Sequence, residues 1–156
     1  YADYDKTKQT VLSLKGYIDA QPKSIQLCHI DAVPDNFLFV TGKDGSEEIK
    51  LTDWEYAGMQ DPHLDVAMFI IYAMYDRDSA EKLIDLYFSD GCDKATRLKI
   101  YCYIAVSGLV WSNWCEFKRH CGVEFGAYAQ RQYDYAREYT KIFFKEYREA
   151  FGRDYV

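Results

Sequence analysis

Several absences narrow what this chain can be. No run of 18 apolar residues occurs anywhere in its 156 residues, which excludes a membrane-spanning helix within them, and no export-signal pattern is read. There is no basic excess: 19 Lys and Arg stand against 25 Asp and Glu, a net charge of −6, whereas nucleic-acid binding needs a basic stripe. An acidic surface suits a cationic substrate better, though only as a long-range bias. The five cysteines, at 28, 92, 102, 115 and 121, are odd in number and contain no C-x-x-C pair. That suggests neither a disulfide framework nor a zinc knuckle, and a reducing, cytoplasmic setting is expected. Cys115, His120 and Cys121 have no fourth partner at zinc spacing. No repeat, low-complexity tract or linker is visible, so one domain is expected over 1–156. Tyr1 stands where an initiator Met would, and a fragment of a longer protein is expected.

Aromatic residues, by contrast, are plentiful. Tyrosine alone accounts for 15 positions, and 49% hydrophobic content suffices for a core. So many amphipathic rings also leave faces available for a ligand.

The most informative stretch is 27–57. Its apolar run Ile25 to Cys28 leads into His29, Asp31 and Asn36, and a second run, Ile49 to Thr52, delivers Asp53 and Glu55. Phe37–Val40 and Ile49–Thr52 read as hairpin strands with a polar tip, Thr41 to Glu48, containing Gly42, Asp44 and Gly45. Asp, Pro and Asn are ordinary turn residues, and either half of the stretch alone could be only a turn. Together, H-x-D-x-x-x-x-N, a strand, a hairpin and D-x-E follow the order used in phosphoryl transfer. There the first Asp takes the acceptor hydroxyl proton, while the Asn and the later Asp hold Mg²⁺ through oxygen.

Helices are expected on both sides of this stretch. Residues 3–20 carry Val11, Leu12, Leu14, Tyr17 and Ile18 at helical spacing, ending before Pro22. Asp61-Pro62 starts a helix with Asp65 in its first turn, running through Met74 with Tyr72 and Tyr75 three apart on one face. Those two rings fit either the core or the wall of a substrate site. Asp78 to Phe88 and Lys94 to about Lys118 follow. The long helix should bury Ile100, Tyr103, Ile104, Ser107, Val110, Trp111 and Trp114, and a last helix begins near Val123-Glu124-Phe125-Gly126.

The segments CHID, PDNFLF and LTDWEYAG, in that order, resemble the choline/ethanolamine kinase family, in particular its bacterial LicA-type choline kinases. The wider superfamily includes aminoglycoside phosphotransferases and shares the protein-kinase-like fold. The resemblance runs over nearly the whole chain and implies an α+β, mainly α, C-terminal lobe of that fold. In that lobe a small hairpin carries the catalytic and metal-binding loops.

By that resemblance Asp31 would be the base, Asn36, Asp53 and Glu55 the Mg²⁺ ligands, and His29 and Asp65 the supports of the catalytic loop. Trp111 and Trp114, as the family's W-x-x-W, would enclose a trimethylammonium group with Tyr128, and Tyr72 and Tyr75 would border it. An indole face attracts such a cation by roughly 0.5–2 kcal/mol per ring. ATP and choline are the implied substrates; ethanolamine, another amino alcohol or an aminoglycoside is the alternative acceptor, and a non-catalytic choline-binding fragment the alternative role. The family's Gly-rich loop and strand Lys are not found in 1–156, so the nucleotide lobe is expected to be missing and the isolated chain inactive.

Overall fold

The computed structural model describes residues 1–155. Six α-helices carry two small antiparallel ribbons. The order is α1 (Tyr4–Ser13), α2 (Lys15–Ala20), β1 (Gln26–Cys28), β2 (Phe37–Thr41), β3 (Glu47–Leu51), β4 (Gly58–Gln60), α3 (His63–Tyr72), α4 (Arg77–Tyr87), α5 (Lys94–His120) and α6 (Ala127–Phe151). The class is α+β, mainly α, as expected.

Local chemistry starts the helices. Asp76 accepts from Ser79 N at 2.9 Å and Asp93 accepts from Thr96 N at 3.0 Å, so both side chains satisfy amides that α4 and α5 leave unpaired. The expected single helix over 3–20 is instead divided at Leu14, whose N–H bonds the Val11 carbonyl three residues back, a tighter turn that separates α1 from α2.

The core lies where α3 packs on α5 and α5 runs along α6. Ile70, Ile71, Leu98, Ile104, Tyr135 and Phe143 are among its fully buried members. Gly108 allows the close approach of α5 and α6: a Cβ there would lie 2.7 Å from the Gln132 carbonyl oxygen and 2.8 Å from Tyr135 Cβ. Ile100, Ile104 and Ser107 of α5 are buried as expected, but its C-terminal half departs from the expectation: Val110 is 54% and Trp114 38% exposed, while Leu109, Ser112 and Cys115 are buried, because α6 meets α5 on the Gly108 face.

The ribbons position the loops. In β2–β3, Phe37 pairs with Leu51 and Thr41 with Glu47. The strands thus extend into the expected tip and shorten it to a turn at 42–46, in which Gly42 N–H bonds the Ser46 carbonyl at 2.7 Å. Strand β4, not anticipated from sequence, pairs with β1 through Leu27 opposite Met59. This closes the segment that leaves the hairpin back onto the strand that enters the His29 loop.

A buried ion pair pins this ribbon to the helices. Lys99 (2% exposed) donates to Asp61 Oδ2 at 2.7 Å and to the Pro22 carbonyl at 2.9 Å. Asp61 (4% exposed) also accepts from Tyr103 Oη and from His63 N, each at 3.1 Å. Burial works to raise the Asp61 carboxyl, but its donors, Lys99 foremost, hold it below the usual carboxylate range. One ammonium thus ties the approach to β1 to the start of α3.

Candidate active site

β1 ends at buried Cys28 and passes the chain to His29, Ile30 and Asp31. Ile30 has φ 69°, which is costly for a β-branched residue. Asp65 offsets that cost. From the first turn of α3 its Oδ2 accepts from His29 N and its Oδ1 from Ile30 N, both at 2.8 Å, so one carboxylate grips both amides of the loop. His29 is buried, with Nε2 2.7 Å from the Thr52 carbonyl and its ring edge-on to Trp54 at 4.8 Å.

Pro34 opens a short 3₁₀ turn, Pro34–Asn36, which brings Asn36 back to the loop. Asn36 Nδ2 donates to the Asp31 carbonyl at 3.0 Å, while the Asn36 carbonyl accepts from Thr52 N at 3.0 Å and Thr52 Oγ1 at 3.2 Å. The Asn36 amide oxygen is left without a protein donor among the described residues. Asp53 follows directly, exposed and at φ 63°, in a turn where Trp54 Nε1 bonds the Leu51 carbonyl at 2.9 Å and Ala57 N the Trp54 carbonyl at 3.0 Å. Glu55 lies in this turn, also exposed. Loop and hairpin therefore join Asp31 directly to Asn36. Asp31, Asp53 and Glu55 do not gather into one cluster, and among the described residues no three His, Cys, Asp or Glu side chains are placed to hold a metal.

An aromatic wall rises beside Asp31. Tyr72 Oη donates to Asp31 Oδ1 at 2.8 Å. Burial, followed by Asp31 itself, drives the Tyr72 hydroxyl far above its ordinary value, so it stays a donor. Its ring meets Trp111 edge-on at 5.1 Å, and Trp111 stacks on Trp114 at 5.6 Å and 15°. Phe125 follows, 5.2 Å from Trp114 and 6.3 Å from Tyr128. Burial pushes the Tyr128 hydroxyl up to about 12, while the Trp111 N–H pulls it down and the Asp31 charge adds to the rise. Gly126 makes this turn possible at φ 54° and ψ −133°, a conformation open in practice only to glycine.

Tyr75 is placed differently from its expected position on one helical face with Tyr72. α3 stops at Tyr72, Met74 takes φ 51°, and Tyr75 N bonds the Ile70 carbonyl at 3.1 Å, the reversal that closes many helix ends. The Tyr75 ring consequently meets Phe69 at 5.8 Å, not the indoles. Phe125 was not singled out beforehand. Its signal, had it been used, is an aromatic next to a Gly that must turn the chain.

A carboxylate bounded by aromatic rings suits a ligand that combines a hydroxyl with a cationic group. Residues 2–90 match the family described as choline/ethanolamine kinase. The chain belongs to the choline/ethanolamine kinase family. Protein LicA of Haemophilus influenzae is 30% identical over 121 residues, 70% of this chain and 41% of the relative. The crystal structure of choline kinase LicA from Streptococcus pneumoniae is 28% identical with a TM-score of 0.70, over 91% of this chain and 49% of that one. LicA in complex with AMP is also 28% identical, with a TM-score of 0.71, over 92% and 48%. The chain thus spans less than half the length of these family members and has the fold of their C-terminal part.

Proposed function

We propose that the protein containing this chain transfers the γ-phosphoryl group of ATP to the hydroxyl of choline, and that residues 1–156 are its catalytic and acceptor-binding C-terminal lobe. The observation that carries this reading is the contact between Asp31 and Tyr72, which sets a carboxylate against the aromatic wall of Trp111, Trp114 and Tyr128. A quaternary ammonium donates no hydrogen bonds, so rings are the partners it can use, and its hydroxyl is then directed at Asp31. The AMP complex of a relative supports a nucleotide co-substrate.

Tyr72 occupies Asp31 Oδ1 and leaves Oδ2 to take the hydroxyl proton. The alkoxide oxygen then forms its bond to the γ-phosphorus as the bond from that phosphorus to the β–γ bridging oxygen breaks, giving phosphocholine and ADP. The Asn36 amide oxygen and the Asp53 carboxylate are oxygen donors of the kind Mg²⁺ takes in small number, so this pair fits that ion, and Glu55, two residues after Asp53, would assist only by turning toward it. Bound there, Mg²⁺ would neutralise phosphate charge. Asp65 keeps the loop in its strained form, and His29 ties it to the end of the hairpin.

Asp31→Asn tests the reading. Turnover of choline with ATP should fall about 10²- to 10⁴-fold with choline affinity nearly unchanged. A variant that keeps most of its turnover removes Asp31 from the role of base.

A further inference from the structure

Trp114, although partly exposed, already has three neighbours on its ring. Trp111, three residues before it on α5, stacks nearly parallel to its ring. Lys118, four residues after it, places Nζ over the same ring, 5.5 Å from the centroid. Phe125 tilts against it from the turn before α6. The indole is therefore flanked along the helix axis by a ring on one side and a cation on the other.

Lys118 is unusual among its neighbours. Arg119 is neutralised locally by Glu116, whereas Lys118 forms no ion pair among the described residues. Its ammonium is held by the indole and by the C-terminal end of α5, where a positive charge is favoured. An onium ligand seeking the Trp114 ring meets a position already taken by a positive charge of the protein.

We propose that Lys118 is an internal cation that occupies the outer ring of the acceptor pocket and sets its affinity, so that an onium ligand must either displace the ammonium from Trp114 or bind beside its charge. This rests on the acceptor reading above. Displacement is feasible because the tether is a four-carbon stem on a helix surface. Until displaced, the charge opposes a second cation a few ångströms away, and salt weakens that opposition. The pocket is thereby tuned to bind its cation less tightly than its rings alone would.

The test is calorimetric titration of choline and of tetramethylammonium into the protein, Lys118→Met and Lys118→Arg, at low and moderate salt. Met keeps the apolar stem and removes the charge; Arg keeps the charge. Lys118→Met should tighten both ligands by about threefold to tenfold, with the gain shrinking as salt rises, and Lys118→Arg should stay within about twofold of the parent. Choline binding detected only in Lys118→Met would likewise support the proposal. If the parent binds choline and Lys118→Met binds it no tighter, Lys118 has no such role while the acceptor reading stands. If neither ligand binds any of the three proteins, the acceptor reading is wrong and the Lys118 proposal falls with it.

Discussion

Tyr72 donates its hydroxyl hydrogen to Asp31 Oδ1 at 2.8 Å while its ring stands edge-on to Trp111, so one side chain joins the proposed base to the wall that would hold the cation. A shift in either partner is passed to the other through a single rigid ring.

Tyr72→Phe should separate those two duties. The ring remains on Trp111, but Asp31 loses the donor that fixes Oδ1. Turnover should fall about tenfold, as expected for a misaimed catalytic group, with choline affinity within about twofold of the parent. Steady-state kinetics beside calorimetry decides it. Weakened binding at unchanged turnover would make Tyr72 part of the wall alone.

Asp65→Asn should loosen the loop rather than the lobe. An amide offers one acceptor oxygen where the carboxylate offers two, so either His29 N or Ile30 N loses its partner and the strained Ile30 backbone is released. Exchange of those two amides should accelerate, and turnover should drop by about 10- to 100-fold, for a stability loss of only about 1–3 kcal/mol. Unchanged exchange at both positions would contradict the clamp.

Lys99→Met strands a buried carboxylate and should cost about 3–5 kcal/mol at pH 7, while Asp61→Asn combined with Lys99→Met should recover part of it. The groups facing Asp61 are Lys99, Tyr103 and His63, and burial followed by Lys99 keeps His63 below its ordinary value. Because the Asp61 carboxyl is lowered in the folded chain, its contribution is fully present above the unfolded value near 4 and is lost as pH falls through the lower folded value. The Lys99→Met deficit in urea unfolding should accordingly be largest near neutrality and shrink as pH falls, first above about pH 4 as the stranded Asp61, raised by burial once Lys99 is gone, takes up its proton, then below it as the parent loses its own Asp61 contribution. A deficit that is flat with pH would show that packing, not charge, is responsible.

Trp111→Leu should weaken choline by about 1–2 kcal/mol and ethanolamine by less, since a primary ammonium can turn N–H donors to carboxylates or water. Trp114→Leu should cost under about 1 kcal/mol, because that ring is shared with Lys118. Titrations of both ligands, with melting curves, check the order. Equal losses for the two ligands together with a large fall in melting temperature would make the role of both indoles structural rather than ligand-binding.

Much of the candidate site's arrangement was legible because it is local. Asp31, Asn36 and Asp53 follow one another at spacings set by a loop, a turn and a hairpin, and Pro34 and the apolar runs mark where those elements begin and end. Helix boundaries were legible to within a residue or two where Asp76 and Asp93 cap them. Periodicity placed Ile100, Ile104 and Ser107 correctly but misplaced the buried side of α5 beyond Gly108, because it counts apolar residues without knowing which face α6 will cover, and Gly108, which carries no hydrophobic signal, decides that crossing.

What the sequence determined by itself is therefore the α+β class, the β2–β3 hairpin, the succession of helices after it and the identity of the loop residues, all consequences of neighbouring residues along the chain. Tertiary structure alone decided that Asp65 grips two amides 35 and 36 residues away, that Lys99 ties Pro22 to Asp61, that Tyr75 leaves the face of Tyr72, and that Lys118 covers Trp114. The physical reason is common to all four. A charge, a ring or a helix end finds its partner where packing brings separate segments together, and that meeting depends on the side-chain volumes and backbone turns of the whole lobe.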